Sequence, residues 1–225
     1  MFQDYKWLSP KFKRTQVIIK PMLKMLQEEG NNLKILDIGC GNGVVSELIV
    51  KMGNEVWGID ENEEALKEAK KRGVRVFKGN LEKNLPFENK SFDVVWCLRV
   101  LEHIFHTEHF LKECHRILKP KGVLVITADN IVSLPNRIRV FFGLYPLRIA
   151  PSENYPRFTD HVRCFTKSTF KNILKNLGFK LEKITSDFVC FNFGQYSFPP
   201  RSEFLGKILP SLGSTLIAKA RKTEI

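Results

Sequence analysis

Ile35-Leu36-Asp37-Ile38-Gly39-Cys40-Gly41-Asn42-Gly43 runs from apolar residues through a carboxylate into glycines at every second position. An apolar run that stops so abruptly suits a parallel strand covered on both faces, and the glycines suit a loop in which the backbone comes close to a ligand. A helix spaced from Val44 to Met52 follows, with Val45, Leu48, Ile49 and Met52 inward and Gly53 as its stop. Its first turn supplies main-chain N–H groups that have no partner within the helix.

Outward from this stretch, strands and helices alternate. Upstream, residues 10 to 30 read as an amphipathic helix with Val17, Ile18, Pro21, Met22, Met25 and Leu26 near one face, Pro21 kinking it or starting a second helix. Downstream come a strand at Glu55 to Ile59 ending in Asp60, a helix at Glu61 to Arg72 closed by Gly73, and a strand at Val74 to Phe77. A fourth strand is read at Phe92 to Cys97 and a fifth at Gly122 to Thr127. Between them, Phe110, Leu111, Cys114, Ile117 and Leu118 form the inward stripe of a helix from His109 to Leu118. The pattern then breaks into a segment rich in Pro, Arg and aromatics from Ala128 to Asp160. It resumes at Thr166, a helix N-cap with Phe165 and Phe170 placed as a hydrophobic staple. Strands near Leu181 to Ser186 and Thr215 to Ala220 complete an α/β, doubly wound, mainly parallel sheet with right-handed crossovers.

At 225 residues the chain suits one α/β domain. It divides into an N-terminal helical segment (1–32), a ligand-binding core (33–127), a lid over the acceptor side (128–165) and a C-terminal helix with strands (166–225). With 43% hydrophobic and 27% charged residues and no apolar run near ~20 residues, it reads as soluble and globular, without a signal peptide. Cys40, Cys97, Cys114, Cys164 and Cys190 lack C-x-x-C spacing, which points away from zinc and disulfides and towards a reducing cytoplasm. The net charge of +12 marks either an anionic partner or a lysine-rich solvated surface.

The glycine spacing separates two ligand classes. The dinucleotide fingerprint G-x-G-x-x-G is missed, because the third glycine comes one residue early and position 44 is Val. Asp37, two residues before the first glycine, would repel a pyrophosphate and attract a ligand carrying ammonium and sulfonium charges. The nonapeptide closely resembles the first motif of the class I S-adenosylmethionine-dependent methyltransferases. That resemblance implies a seven-stranded Rossmann-like sheet of order 3-2-1-4-5-7-6 with the last strand antiparallel, and S-adenosyl-L-methionine as cofactor. Ser91 to Ile104, with Leu101-Glu102-His103, resembles a later motif of the same superfamily, in the branch with a Leu-Glu-His triplet.

The resemblance implies cofactor contacts from Asp37, Gly39, Cys40, Gly41, Gly43, Asp60, Glu61, Asn80, Leu81, Leu98 and Arg99. Asp60 would accept the ribose hydroxyls, cap the next helix, or do one with each oxygen. Asn80 would meet the adenine amino group or close a turn, with Leu81 against the ring. The main chain at Leu98 and Arg99 would meet the methionine portion. His103, near the acceptor opening, is a candidate catalytic base or a hydrogen-bonding residue at a helix start. Asn136-Arg137-Ile138-Arg139 and the later His161, Arg163, Phe165 and Thr166 loosely resemble MetW-like methyltransferases, making His161 a second catalytic candidate. Arg137, Phe141 and Tyr145, with Arg139 and Phe142, would form a substrate-binding lid or a cap packed on the sheet edge. His103, His106, His109 and His115 lack the spacing of a metal helix, so no metal is expected.

The expected activity is methyl transfer to an oxygen or nitrogen of a small-molecule, lipid-like or sugar-like acceptor, by a monomer or homodimer. Two rivals remain. One is an RNA methyltransferase, favoured by charge but lacking an Asn-Pro-Pro-Tyr-like tetrapeptide where Cys97-Leu98-Arg99-Val100 stands. The other is a non-catalytic cofactor-binding protein that uses Arg137 to Phe142 at a membrane surface.

Overall fold

The computed structural model describes residues 13–149, 161–187, 189–193 and 196–224. Residues 10–12 of the expected first helix and 150–160 of the expected lid lie outside them. The chain runs α1 (Lys13–Gln27), β1 (Lys34–Ile38), α2 (Val44–Lys51), β2 (Glu55–Asp60), α3 (Glu63–Lys71), β3 (Arg75–Lys78) and β4 (Phe92–Cys97). A 3-10 turn at Leu101–His103 leads to α4 (Thr107–Ile117), β5 (Leu118–Asp129) and α5 (Leu134–Phe141). Then come α6 (Lys167–Asn176), β6 (Phe179–Ser186), β7 (Val189–Phe193), β8 (Tyr196–Ser202), α7 (Glu203–Ile208) and β9 (Thr215–Lys222).

Seven strands form one sheet in the order β3-β2-β1-β4-β5-β9-β6, in which β9 runs antiparallel to both neighbours. This is the expected 3-2-1-4-5-7-6 order, β9 being the seventh strand of that sheet. Predominantly apolar strands bury both faces, as parallel strands require. In β5, Val123 and Val125 face the α1–α2–α3 core while Leu124 and Ile126 face the core that holds α4 and α6. A register shift between Phe92 and Val94 places Phe92 and Val95, three positions apart, in the same core.

Three expectations need correction. α1 is one continuous helix across Pro21, and it buries Ile19 and Leu23 besides the residues read from its periodicity, because it lies against β5 and β9 on a wide face. α3 begins at Glu63, two residues later than expected, capped by Asn62, whose side chain accepts the Ala65 N–H. The sequence reading also missed the hairpin β7–β8 and α7.

Lys219 of β9, 4% exposed, is held by carboxylates from both ends of this architecture. It contacts Glu28 at 3.2 Å, and Glu29 and Glu182, while Arg221 reaches Glu29 at 2.9 Å. This cluster ties the C-terminal end of α1 to the sheet.

Candidate functional site

Gly39, Gly41 and Gly43 all have left-handed backbones, with φ of 69°, 51° and 75°, which explains glycine at alternate positions. Their surroundings divide them. A Cβ at Gly43 would stand 2.7 Å from Ala69 Cα, and one at Gly39 would stand 2.4 Å from Val100 Cγ2, so these two serve close packing. A Cβ at Gly41 would meet nothing within 4 Å. The loop is pinned by main-chain bonds: the Gly39 and Cys40 N–H groups donate to Ile59 O at 2.8 and 3.3 Å. Asp60 completes it. Its Oδ2 accepts the Gly41 N–H and its Oδ1 the Asn62 N–H, each at 2.9 Å. Asp60 therefore bolts the glycine loop to the end of β2, and the cap of α3 belongs to Asn62.

Asp37 is 3% exposed beneath this loop and accepts a 2.6 Å hydrogen bond from Ser46 Oγ. Burial, with a smaller push from Asp60, raises its carboxyl to about 7. Ser46 escaped the sequence reading; the available signal was a lone hydroxyl on the inward face of α2. The sign of the coupling is definite. A cationic ligand favours the ionised carboxylate, so below about 7 its binding must first displace a proton, and above about 7 it need not. We expect affinity for a cationic nucleoside to fall by up to about tenfold per pH unit below 7 and to level off above it. Calorimetric titration across this range checks the point, and a flat profile would contradict it. Burial, with Asp37 and Asp60 nearby, also raises the Cys40 thiol, which keeps it protonated and unreactive.

A cavity of about 470 Å³ opens at the carboxyl ends of β1, β2 and β4, where open α/β sheets take their ligands. Of the residues expected from sequence, Gly39, Asp60, Glu61, Leu81, Arg99 and His103 line it, and Glu82, not foreseen, joins them. Asp37, Cys40, Gly41 and Gly43 are not among its walls. Asn80 uses its Oδ1 to accept the Glu82 N–H at 2.7 Å, closing the turn that presents Leu81. Leu98 packs, partly buried, on the α1–α2–α3 core. Arg99 is left-handed at φ 57°, a conformation rare outside glycine, and its N–H donates to Thr127 Oγ1 at 2.8 Å. A glycine loop flanked by the carboxylates of Asp37, Asp60 and Glu61 suits a nucleoside bearing positive charge.

Next to this cavity lies a charged cluster that sequence order does not reveal. Asp129, fully buried at the end of β5, has its Oδ2 2.6 Å from His161 Nδ1, a close charge contact whose angle is not that of a hydrogen bond, and its Oδ1 2.5 Å from Arg148. Burial pushes its carboxyl up, but His161, Arg148 and Arg99 together outweigh this and hold it below the usual carboxylate range. The His161 ring meets His103 edge to face, with centroids 4.8 Å apart at 90°. Backbone bonding makes the meeting possible. Glu102 O accepts the Val162 and Arg163 N–H groups at 2.8 and 3.1 Å, and Asp129 O accepts the Phe165 N–H at 2.8 Å, laying residues 161–165 against the strand ends. Glu102 is 1% exposed, its carboxyl raised by burial and by Asp129, and its Oε2 has no hydrogen-bond partner among the described residues.

Among the described residues, Glu102, His103 and His161 are the one group whose ligand atoms, within 4.8 Å of one another, could hold a metal ion. Arg99 Nε stands 3.5 Å from Glu102 Oε1, so a cation joining this group would share that carboxylate with a guanidinium. His106, His109 and His115 are not part of this group. Arg137, Phe141 and Tyr145 do not line the cavity: Phe141 is 82% exposed at the end of α5. A groove of about 550 Å³ between α1 and the edge strand β6 has Lys20, Lys24 and Lys183 among its walls and no glycine loop. No helix among the described residues is long and apolar enough to cross a membrane.

Residues 36–126 match the family described as "Methyltransferase domain". The chain is 30% identical over 169 residues to a ubiquinone biosynthesis O-methyltransferase of Histophilus somni, covering 68% of this chain and 71% of that protein. It is 32% identical over 169 residues to the mitochondrial ubiquinone biosynthesis O-methyltransferase of Schizosaccharomyces pombe, covering 71% of this chain and 58% of the relative. Among solved structures, a Thermotoga maritima S-adenosylmethionine-dependent methyltransferase described as a possible histamine N-methyltransferase superposes with a TM-score of 0.66. That match has 21% identity over 94% of this chain and 93% of the other, a likeness of fold.

Proposed function

Because this chain belongs to the class I S-adenosylmethionine-dependent methyltransferases, we propose that it methylates a hydroxyl oxygen of a small acceptor, with His103 taking the hydroxyl proton. The observation that carries this reading is the line from cavity to buried carboxylate: His103 in the cavity wall, His161 edge-on behind it, and Asp129 2.6 Å from His161 Nδ1. A base needs fixed geometry before it needs a tuned pKa. His161, anchored by Asp129 and by the 161–165 segment, is a positioning residue that restrains the His103 ring. The names of the relatives from Histophilus somni and Schizosaccharomyces pombe, both O-methyltransferases, support oxygen as the acceptor atom.

When bound, S-adenosylmethionine supplies a methyl group on a positively charged sulfur, an intrinsically good leaving group. Asp60 and Glu61 would hold its ribose, Leu81 would lie against its base, and Asp37 and the glycine loop would meet its charged end. Arg99, from the same wall, stands 3.5 Å from Glu102 and 3.9 Å from Asp129, so its charge partly offsets theirs. Alignment of two reactants contributes roughly 7–11 kcal/mol, whereas one general base at ~10²–10⁴-fold contributes roughly 3–5 kcal/mol. The chain's larger contribution is therefore orientation of the two reactants, with proton removal second.

Incubation with methyl-labelled cofactor and a panel of phenols, catechols and amines, read by mass spectrometry, tests the proposal. The expected product is a labelled methyl ether. Labelled amines with the hydroxyl compounds unmodified would contradict it.

A further inference from the structure

We propose that the tip formed by Val140 to Tyr145 is a docking surface for an anionic lipid bilayer. Val140-Phe141-Phe142-Gly143-Leu144-Tyr145 are six consecutive exposed residues, with Phe141 82% and Phe142 70% exposed and Leu144 51%. A contiguous apolar patch of this kind marks an interaction surface. It is held out rather than left to collapse. Asn136, 1% exposed, donates through its amide to Ile131 O and Leu147 O and accepts the Leu147 N–H, stitching the base of the segment. At the far end Arg139 Nε donates to Tyr145 O, the Leu144 N–H donates to Arg139 O, and Gly143 turns the chain with φ 69°.

Charge selects the partner. From Asn130 to Ser152 the sequence has Arg137, Arg139 and Arg148 and not one Asp or Glu. Arg148 is committed to Asp129, but Arg137 and Arg139 bond main-chain carbonyls, of Val132 and Tyr145, and keep their charge uncompensated by any carboxylate contact shown. Aromatic rings flanked by arginines form the composition that settles into the headgroup region of a membrane, and anionic lipids add electrostatic attraction. A second copy of the chain fits worse, since a two-fold contact would set this acid-free patch against its own arginines. The net charge of +12 favours the same anionic surface. This inference does not depend on which acceptor is methylated.

Sedimentation of the full chain with phosphatidylcholine vesicles, with and without phosphatidylglycerol, is the test, run at low and high salt. Binding is expected to the anionic vesicles only, weakened by salt. Phe141→Ser with Phe142→Ser is expected to weaken it by about tenfold or more. Arg137→Gln with Arg139→Gln is expected to weaken it and flatten its salt dependence. Thermal unfolding and cofactor titration of each variant establish that the fold is intact. No vesicle binding by the wild type, or wild-type binding by folded Phe141/Phe142 variants, would overturn the proposal. So would a dimer that dissociates on the same substitutions without any vesicle binding.

Discussion

Gly43→Ala lowers the melting temperature by roughly 4–20 °C. Two costs add. An alanine forced to φ 75° pays a left-handed strain of ~1–2 kcal/mol. Its methyl would also stand 2.7 Å from Ala69 Cα and 2.8 Å from Ala69 Cβ, where α3 packs on the loop, and overpacking of a rigid neighbour costs ~1–3 kcal/mol more. In a protein of this size each kcal/mol moves the midpoint by ~2–4 °C. Gly41→Ala is the internal control, because its Cβ meets nothing within 4 Å and only the strain remains. Calorimetric melting of both variants checks the argument: equal losses would mean that close packing at Gly43 is not what the glycine serves.

His103→Asn reduces kcat for a hydroxyl acceptor by about 10²–10⁴ while leaving cofactor affinity near that of the wild type. The residue lines the cavity, whereas the loop carboxylates are held by other elements. Alkaline pH is expected to restore much of the rate with a phenolic acceptor, because an acceptor already ionised needs no base. His161→Asn is expected to lower kcat less than His103→Asn and to alter the pH profile of the rate, as suits a residue that positions the base. Steady-state kinetics with a calorimetric cofactor titration separates these effects. An unchanged kcat in His103→Asn would remove the base from the account.

Local patterns carried most of the fold. β4 occupies Phe92–Cys97 as its apolar run implies, and Thr166 caps α6 in a full capping box, with Phe165 and Phe170 ring centroids 5.6 Å apart. The hairpin β7–β8 was not legible because Pro199 and Pro200 fall inside β8, where proline reads against a strand. α1 concealed Ile19 and Leu23 because a helix lying broadly on two strands buries more than a single stripe.

The site divides along the same line. The glycine loop and Asp60 are legible because their chemistry sits in consecutive residues at strand ends. Ser46, Asp129, Arg148 and the unpartnered Glu102 oxygen are not, since their neighbours are supplied by sheet order and by the chain returning at 161–165. His161 was singled out by sequence, but its partnership with Asp129 depends on Asp129 closing β5 directly beside the segment that bonds to Glu102. The expected lid residues present the opposite case. Arg137, Phe141 and Tyr145 have binding chemistry, yet they lie on a surface away from the cavity walls, and periodicity alone gives no direction for a helix that follows a turn.

The central claim is that a buried carboxylate beneath a glycine loop selects a cationic nucleoside over a pyrophosphate-bridged one. Parallel calorimetric titration of the wild-type chain with S-adenosylmethionine and with a nicotinamide dinucleotide at about pH 8 tests it most directly. Saturable binding of S-adenosylmethionine and none of the dinucleotide is expected; saturable binding of the dinucleotide with no heat from S-adenosylmethionine would refute the selection.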